Sequence, residues 1–149
     1  MSQITDPQLV LYQQVVEGLS HWKPHPGQVK AGRALFTHNI RNIFIQCGRK
    51  WGKTELSLYI LWRWGMMNPG QGMFYVAPEL KQGKRIVWED PRLENFGPRH
   101  WIKDISQADT RIDLINGSYL KLEGSENFEA HRGTRPGLVV YEEYKDHDP

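Results

Sequence analysis

A short apolar run that ends in a glycine-bearing turn and passes directly into a long apolar segment constrains this chain more than any other feature. Residues 42–46 place Ile43, Phe44 and Ile45 in succession, which reads as a buried strand. Cys47-Gly48-Arg49-Lys50-Trp51-Gly52-Lys53-Thr54 follows at once. Residues 55–67, with Leu56, Leu58, Tyr59, Ile60, Leu61, Trp62 and Trp64, then read as a buried helix closed by Asn68-Pro69-Gly70. Strand, turn and helix in that order set the helix's first N–H groups, which have no partner inside the helix, beside a lysine and a hydroxyl. This is the arrangement of a phosphate-binding loop: backbone N–H groups of the turn through Gly48, Lys50, Trp51 and Gly52 surround the phosphates. Lys53 reaches the β and γ phosphates and the Thr54 hydroxyl coordinates Mg²⁺. The usual pattern G-x-x-x-x-G-K-S/T has glycine where Cys47 stands, and Gly48 supplies the turn's freedom one position later. Taken without its flanks the turn is also compatible with an ordinary surface loop; the strand before it and the helix after it favour the phosphate loop.

A loop of this kind implies a second piece, an apolar strand ending in carboxylates that hold the metal through water and polarise an attacking water. Leu138-Val139-Val140-Tyr141-Glu142-Glu143 supplies it. Glu142 is the expected metal-side carboxylate, partly through water, and Glu143 the general base. Aspartate is more common at the first position, so the longer side chain has to be accommodated by a small shift. Read alone, the segment is equally a solvated acidic strand end.

The remaining pattern alternates helices with strands. Residues 8–19 carry Leu9, Val10, Tyr12, Val15, Val16 and Leu19 at helical spacing after Asp6-Pro7, and residues 21–27 form a turn-rich connector. Residues 28–36 return to helical spacing, 72–77 read as a strand, and 79–94 are helical in tendency with a break at Asp90-Pro91. Residues 111–115 and 118–122 flank Asn116-Gly117, a strong hairpin signal, and 138–141 read as a further buried strand. The expected fold class is therefore α/β, a parallel sheet with flanking helices. At 149 residues with 39% hydrophobic content, one core is affordable. The single cysteine, Cys47, excludes an internal disulfide and a cysteine-built zinc site, so packing must hold the fold. The start of the chain has neither the basic flank nor the apolar stretch of a signal peptide, and no apolar run reaches a membrane span. A net charge of +2 permits a polyanionic partner without requiring one.

With these residues in place, the chain resembles the large terminase subunit, the ATP-driven motor that packages DNA into tailed-bacteriophage capsids. The likeness runs over nearly the whole chain. Family loops carry an arginine where Arg49 stands, which assigns Arg49 to sensing the γ-phosphate. His25-Pro26-Gly27-Gln28 looks like the family's adenine-recognising glutamine motif, with Gln28 as the reader of the base edge. Val76-Ala77-Pro78 with Gln82 and Trp88, and His131-Arg132-Gly133 before the acidic strand, match further segments; the resemblance implies that Arg132 acts in trans on a neighbouring subunit's ATP. As a lone arginine beside glycine, Arg132 is equally an exposed loop charge. Lys81, Lys84 and Arg85 either track a DNA phosphate backbone or form a solvated helix face. Trp51 is expected beside the nucleotide or a lid, the other tryptophans in the core.

The resemblance divides the chain into residues 1–34, a helical segment with the glutamine motif, and residues 35–149, the first part of a P-loop ATPase core of the ASCE type. It implies ATP and Mg²⁺ as cofactors, double-stranded DNA, a portal and a small terminase subunit as partners, and a ring-forming homo-oligomer in the complete protein. The implied place is the cytoplasm of an infected bacterial host, at the procapsid portal during packaging. Because the chain stops shortly after Glu143, a central strand, the coupling motif and the nuclease of the family are expected beyond it, and the fragment alone is expected to bind nucleotide weakly, turn it over negligibly and self-associate. Two other functions fit the same residues: a helicase-like P-loop ATPase and a non-catalytic nucleotide-binding module.

Overall fold

The computed structural model describes residues 22–36, 40, 42–46, 48, 50–128 and 135–142. The helix expected over residues 8–19 lies outside them, as do Cys47, Arg49, Arg132 and Glu143. The sheet is organised around β1 (Gly72–Ala77), every residue of which is buried. Such a continuous apolar run is what a strand covered on both faces requires. Met73 and Tyr75 belong to the main core beneath the helix α2 (Lys53–Met67), whereas Phe74 and Val76 pack on the opposite face with Phe128, Tyr119 and Val139. This alternation follows from the period of two along a strand.

On one side β1 pairs in parallel with β4 (Tyr119–Gly124) and on the other, also in parallel, with β5 (Leu138–Tyr141). Beyond β4 lie β3 (Arg111–Leu114) and β2 (Ile102–Ser106), both antiparallel to their neighbours, giving the order β2-β3-β4-β1-β5. The α/β class therefore holds, with a sheet that is mixed where the hairpin joins it. The hairpin signal at Asn116-Gly117 is realised as a three-residue loop: the Gly117 N–H donates to the Leu114 carbonyl at 3.1 Å and Gly117 takes a φ of 85°. Asn116 Nδ2 and Ser118 Oγ each donate to the Gly65 carbonyl at 2.8 Å, which ties the hairpin to the far end of α2.

Helix α1 (Pro26–Phe36) and α2 occupy the expected places. In α2, Leu56, Leu58, Ile60, Leu61, Trp62, Gly65 and Met66 are all buried, so the helix is apolar nearly all round. Trp62 is wholly buried, donates its indole N–H to the Leu93 carbonyl at 2.8 Å, and lies where a Cβ on Gly97 would stand, 2.2 Å away. After β1 comes α3 (Leu80–Gly83), which runs into a π-helical turn (Lys84–Trp88). The helix ends ahead of Asp90-Pro91, as expected of a proline with no N–H, and α4 (Arg92–Phe96) starts anew. A 3₁₀ turn (Arg99–Trp101) leads into β2, and a single helical turn, α5 (Ser125–Phe128), follows β4.

One expectation needs correction, and one strand was not foreseen. Residues 42–46 join no strand ladder; Ile43 packs on the cluster of Leu35, Leu56 and Ile60, but Phe44 is 79% exposed and Ile45 37% exposed. The apolar run is there, but an apolar run becomes a strand only where a ladder pairs it, and residues 42–46 enter none of the described ladders. Conversely, β2 carries no sequence signal. Its register shifts between Ile102 and Asp104, so the apolar side chains fall at 102 and 105 instead of alternating.

Candidate nucleotide-binding site

The turn before α2 divides into an open part and an anchored part. Gly48 and Lys50 are exposed. The left-handed positions are Lys50, at φ 64°, and Gly52, at φ 93°. Gly48 is not left-handed and has no heavy atom within 4 Å of where a Cβ would stand, so the conformational demand falls on Gly52. A Cβ at Gly52 would also come within 2.3 Å of Gln28 Nε2, so glycine is needed there on two counts.

Trp51 and Gly52 are held by α1 and the residues before it. Gln28, 4% exposed, donates from Nε2 to the Gly52 carbonyl at 2.9 Å and accepts the His25 backbone N–H on Oε1 at 2.9 Å. His25 Nδ1 accepts from the N–H groups of Gly27 at 3.1 Å and Gln28 at 3.4 Å, so Nε2 carries the proton and donates to the Trp51 carbonyl at 2.7 Å. The Trp51 ring meets the His25 ring edge-on at 4.6 Å and packs on Leu35, Leu56 and Ile60. The motif residues expected to read a base thus brace the turn before α2, and Trp51 props that turn from the core side.

Past Gly52 the chain enters α2. Its N-cap, Gly52, has no side chain to cap it, and the positive end of the helix dipole lies there with exposed Lys53 beside it, a setting that suits an anion. Thr54, the second residue of the helix, is half-buried. Glu55 forms an ion pair with Arg92 at the start of α4.

The acidic end of β5 arrives from the other side. The Glu142 N–H donates to the Val76 carbonyl at 2.9 Å, extending the parallel ladder one step past the strand and fixing where the carboxylate leaves the sheet. Tyr75, 1% exposed, lies between the two halves, with Thr54 and Glu142 both close enough to act on its hydroxyl. Burial first, then the Glu142 carboxylate, push that hydroxyl far above the usual phenol range, while Thr54 and the Arg92 charge pull the other way. The phenol is therefore uncharged. The structure brings together Gln28, Gly52, Lys53, Thr54 and Glu142. Arg49, Arg132 and Glu143 lie outside the described residues, and Lys81 and Arg85 are exposed. Sequence reasoning passed over Tyr75, His25 as an individual residue, and the Glu55–Arg92 pair. The available signal was Tyr75 itself, the one phenol in an otherwise apolar buried strand, because a buried phenol needs a partner for its hydroxyl.

No helix among the described residues is long and apolar enough to cross a membrane. No protein-family model matches the sequence. No curated protein matches it either. Among solved structures, the ATPase domain of the large terminase of Thermus phage P74-26 superposes with a TM-score of 0.65 at 18% identity, covering 89% of this chain and 58% of that one. An arginine-to-alanine variant of the same domain gives a TM-score of 0.62 at 18% identity, covering 85% and 55%. This chain thus spans a little over half the length of the domains it matches, and over that length it has the α/β P-loop fold of a phage large-terminase ATPase domain.

Proposed function

We propose that this chain is the nucleotide-binding part of an ATPase that drives double-stranded DNA into a phage capsid, as the large subunit of a terminase. The observation that carries the reading is the convergence of the uncapped start of α2, with Lys53 and Thr54, and the acidic end of β5 at Glu142, within a fold shared with a terminase ATPase domain. The phosphates of ATP are bound by the first N–H groups of α2 and by Lys53. The oxygens of Thr54 and Glu142 are hard donors of the kind Mg²⁺ takes in small number alongside phosphates and water. Bound there, Mg²⁺ would neutralise charge on the phosphate oxygens. Glu143 accepts a proton from the attacking water, Arg49 senses the γ-phosphate, and Arg132 acts on the ATP of a neighbouring subunit. The portal, the small subunit and a ring of copies are the partners of the complete motor, which works at the procapsid in an infected host.

Isothermal titration of the chain with MgATP tests the reading. Lys53→Ala removes a charge-assisted contact and is expected to weaken binding by about 1.5 to 3 kcal/mol. Unchanged affinity in that variant would end the phosphate-loop assignment. A helicase-like ATPase shares these residues; in the complete protein, capsid-dependent DNA translocation without strand separation favours the packaging motor, and strand separation without a capsid favours the helicase.

A further inference from the structure

The start of α1 is a helix cap built from two side chains that are each used twice. The His25 carbonyl accepts the Val29 N–H at 3.1 Å, the first bond of the helix, which makes His25 its capping residue. His25 Nδ1 takes the place of the usual serine or threonine oxygen and accepts from Gly27 and Gln28, while Gln28 Oε1 reaches back to the His25 N–H. Pro26, at the first helical position, has no N–H to satisfy. The far end of each side chain holds the turn before α2: His25 Nε2 bonds the Trp51 carbonyl and Gln28 Nε2 the Gly52 carbonyl.

The orientation of the Gln28 amide follows from its partners. The Gly52 carbonyl can only accept and the His25 N–H can only donate, so the nitrogen faces the first and the oxygen the second. Reading a purine edge takes a donor and an acceptor side by side on one amide. One amide hydrogen and one lone pair remain on Gln28, but at 4% exposure they face protein, and swinging the side chain out to a base breaks both existing bonds. Trp51, the other residue of the turn suited to a base, is engaged in the same way. Its ring meets His25 edge-on, packs on Leu35, Leu56 and Ile60, and lies so close to Gly27 that a Cβ there would stand 2.9 Å from Cζ2.

We propose that the site selects its ligand by the triphosphate end and does not read the base, so that purine nucleoside triphosphates bind alike whatever groups the base edge carries. Gln28 and His25 are positioning residues: they fix the Trp51 and Gly52 carbonyls, and with them the entry into α2. A polar group built to bond a substrate discriminates strongly against analogues that lack the partner, and a glutamine already bonded on both ends to backbone supplies no such discrimination. This rests on the reading of the turn as a phosphate loop, and it departs from the resemblance, which makes Gln28 the reader of the base.

The test is calorimetry of the chain with the Mg²⁺ complexes of ATP, GTP and purine riboside triphosphate, which share a purine ring and differ in the groups on its edge. The dissociation constants are expected to agree within about threefold, no more than one net hydrogen bond is worth. A larger preference for any one of them overturns the proposal and leaves the phosphate-loop reading standing. A chain that binds none of them overturns that reading and the proposal together. Gln28→Ala is expected to weaken all three by a common factor, about three- to tenfold; a greater loss for ATP than for GTP places the amide at the base and overturns the proposal. His25→Asn keeps a side-chain acceptor to cap α1 and gives up the reach to Trp51. Its urea stability is expected to hold while affinity for all three ligands falls about three- to tenfold, and unchanged affinity overturns the positioning role. Should either variant not fold, the comparison of the three ligands on the parent chain still decides.

Discussion

Two apolar runs lead into this site and meet different fates. Leu138, Val139 and Val140 form β5, paired in parallel with β1, and deliver Glu142 to a fixed point. Ile43, Phe44 and Ile45 have similar composition and lead to the turn before α2, yet they form no strand, and Phe44 is 79% exposed. The difference lies in the neighbour and not in the run itself. Hydrophobicity states that a segment should be buried, and only a partner edge makes it a strand. The loop end near Gly52 is nonetheless well fixed, because Gln28 of α1 and His25 just before that helix hold it. The acidic half of the candidate site takes its geometry from the sheet, the half at the start of α2 from a helix and two side chains.

The largest effect expected from this contrast is at β5. Val140→Asp would put a carboxylate against the main core, which Val140 packs on, and should cost about 2 to 3 kcal/mol in urea unfolding. A loss as small as that of a surface substitution would mean that β5 does not depend on its place in the sheet. Next comes Gly52→Ala, which imposes a left-handed conformation on a residue with a Cβ and drives that carbon into Gln28; about 1 to 2 kcal/mol of stability and most nucleotide affinity should be lost. Gly48→Ala in the same experiment should have little effect on stability, since nothing stands within 4 Å. Equal losses at both glycines would contradict the division of the loop into open and anchored parts.

Gln28→Ala should cost about 1 kcal/mol in stability, by deleting the bonds to Gly52 and His25, and should weaken ATP and a base-free triphosphate alike to the extent that its role is to brace the loop. A loss confined to ATP would show that the amide serves base reading instead. The smallest effect is expected at Phe44→Ser, within about 0.5 kcal/mol, because the ring is already largely in water. A loss comparable to that at Val140 would mean that residues 42–46 are buried after all.

Much of this was legible in the chain. The run Gly72–Ala77 announced a strand covered on both faces, Asn116-Gly117 announced the hairpin, and Lys53-Thr54 after a glycine announced the start of α2, because each rests on local chemistry: apolar continuity, a turn residue, a helix boundary. What failed to show depends on distant partners. The bulge that breaks the alternation of β2, the missing ladder at residues 42–46, and the meeting of Tyr75 with Thr54 and Glu142 are set by which segments become neighbours. Tyr75 illustrates the limit well: its strand is plain in the sequence, but the two residues its hydroxyl meets stand far from it along the chain.

The most direct test of the nucleotide site is a map of backbone amide NMR shifts as MgADP is added to the chain. The largest changes are expected at Gly52, Lys53, Thr54 and Glu55, where the first N–H groups of α2 would meet phosphate, with a second group at Glu142 across the sheet. Saturable changes elsewhere, with these amides unmoved, would contradict the assignment of the phosphate loop.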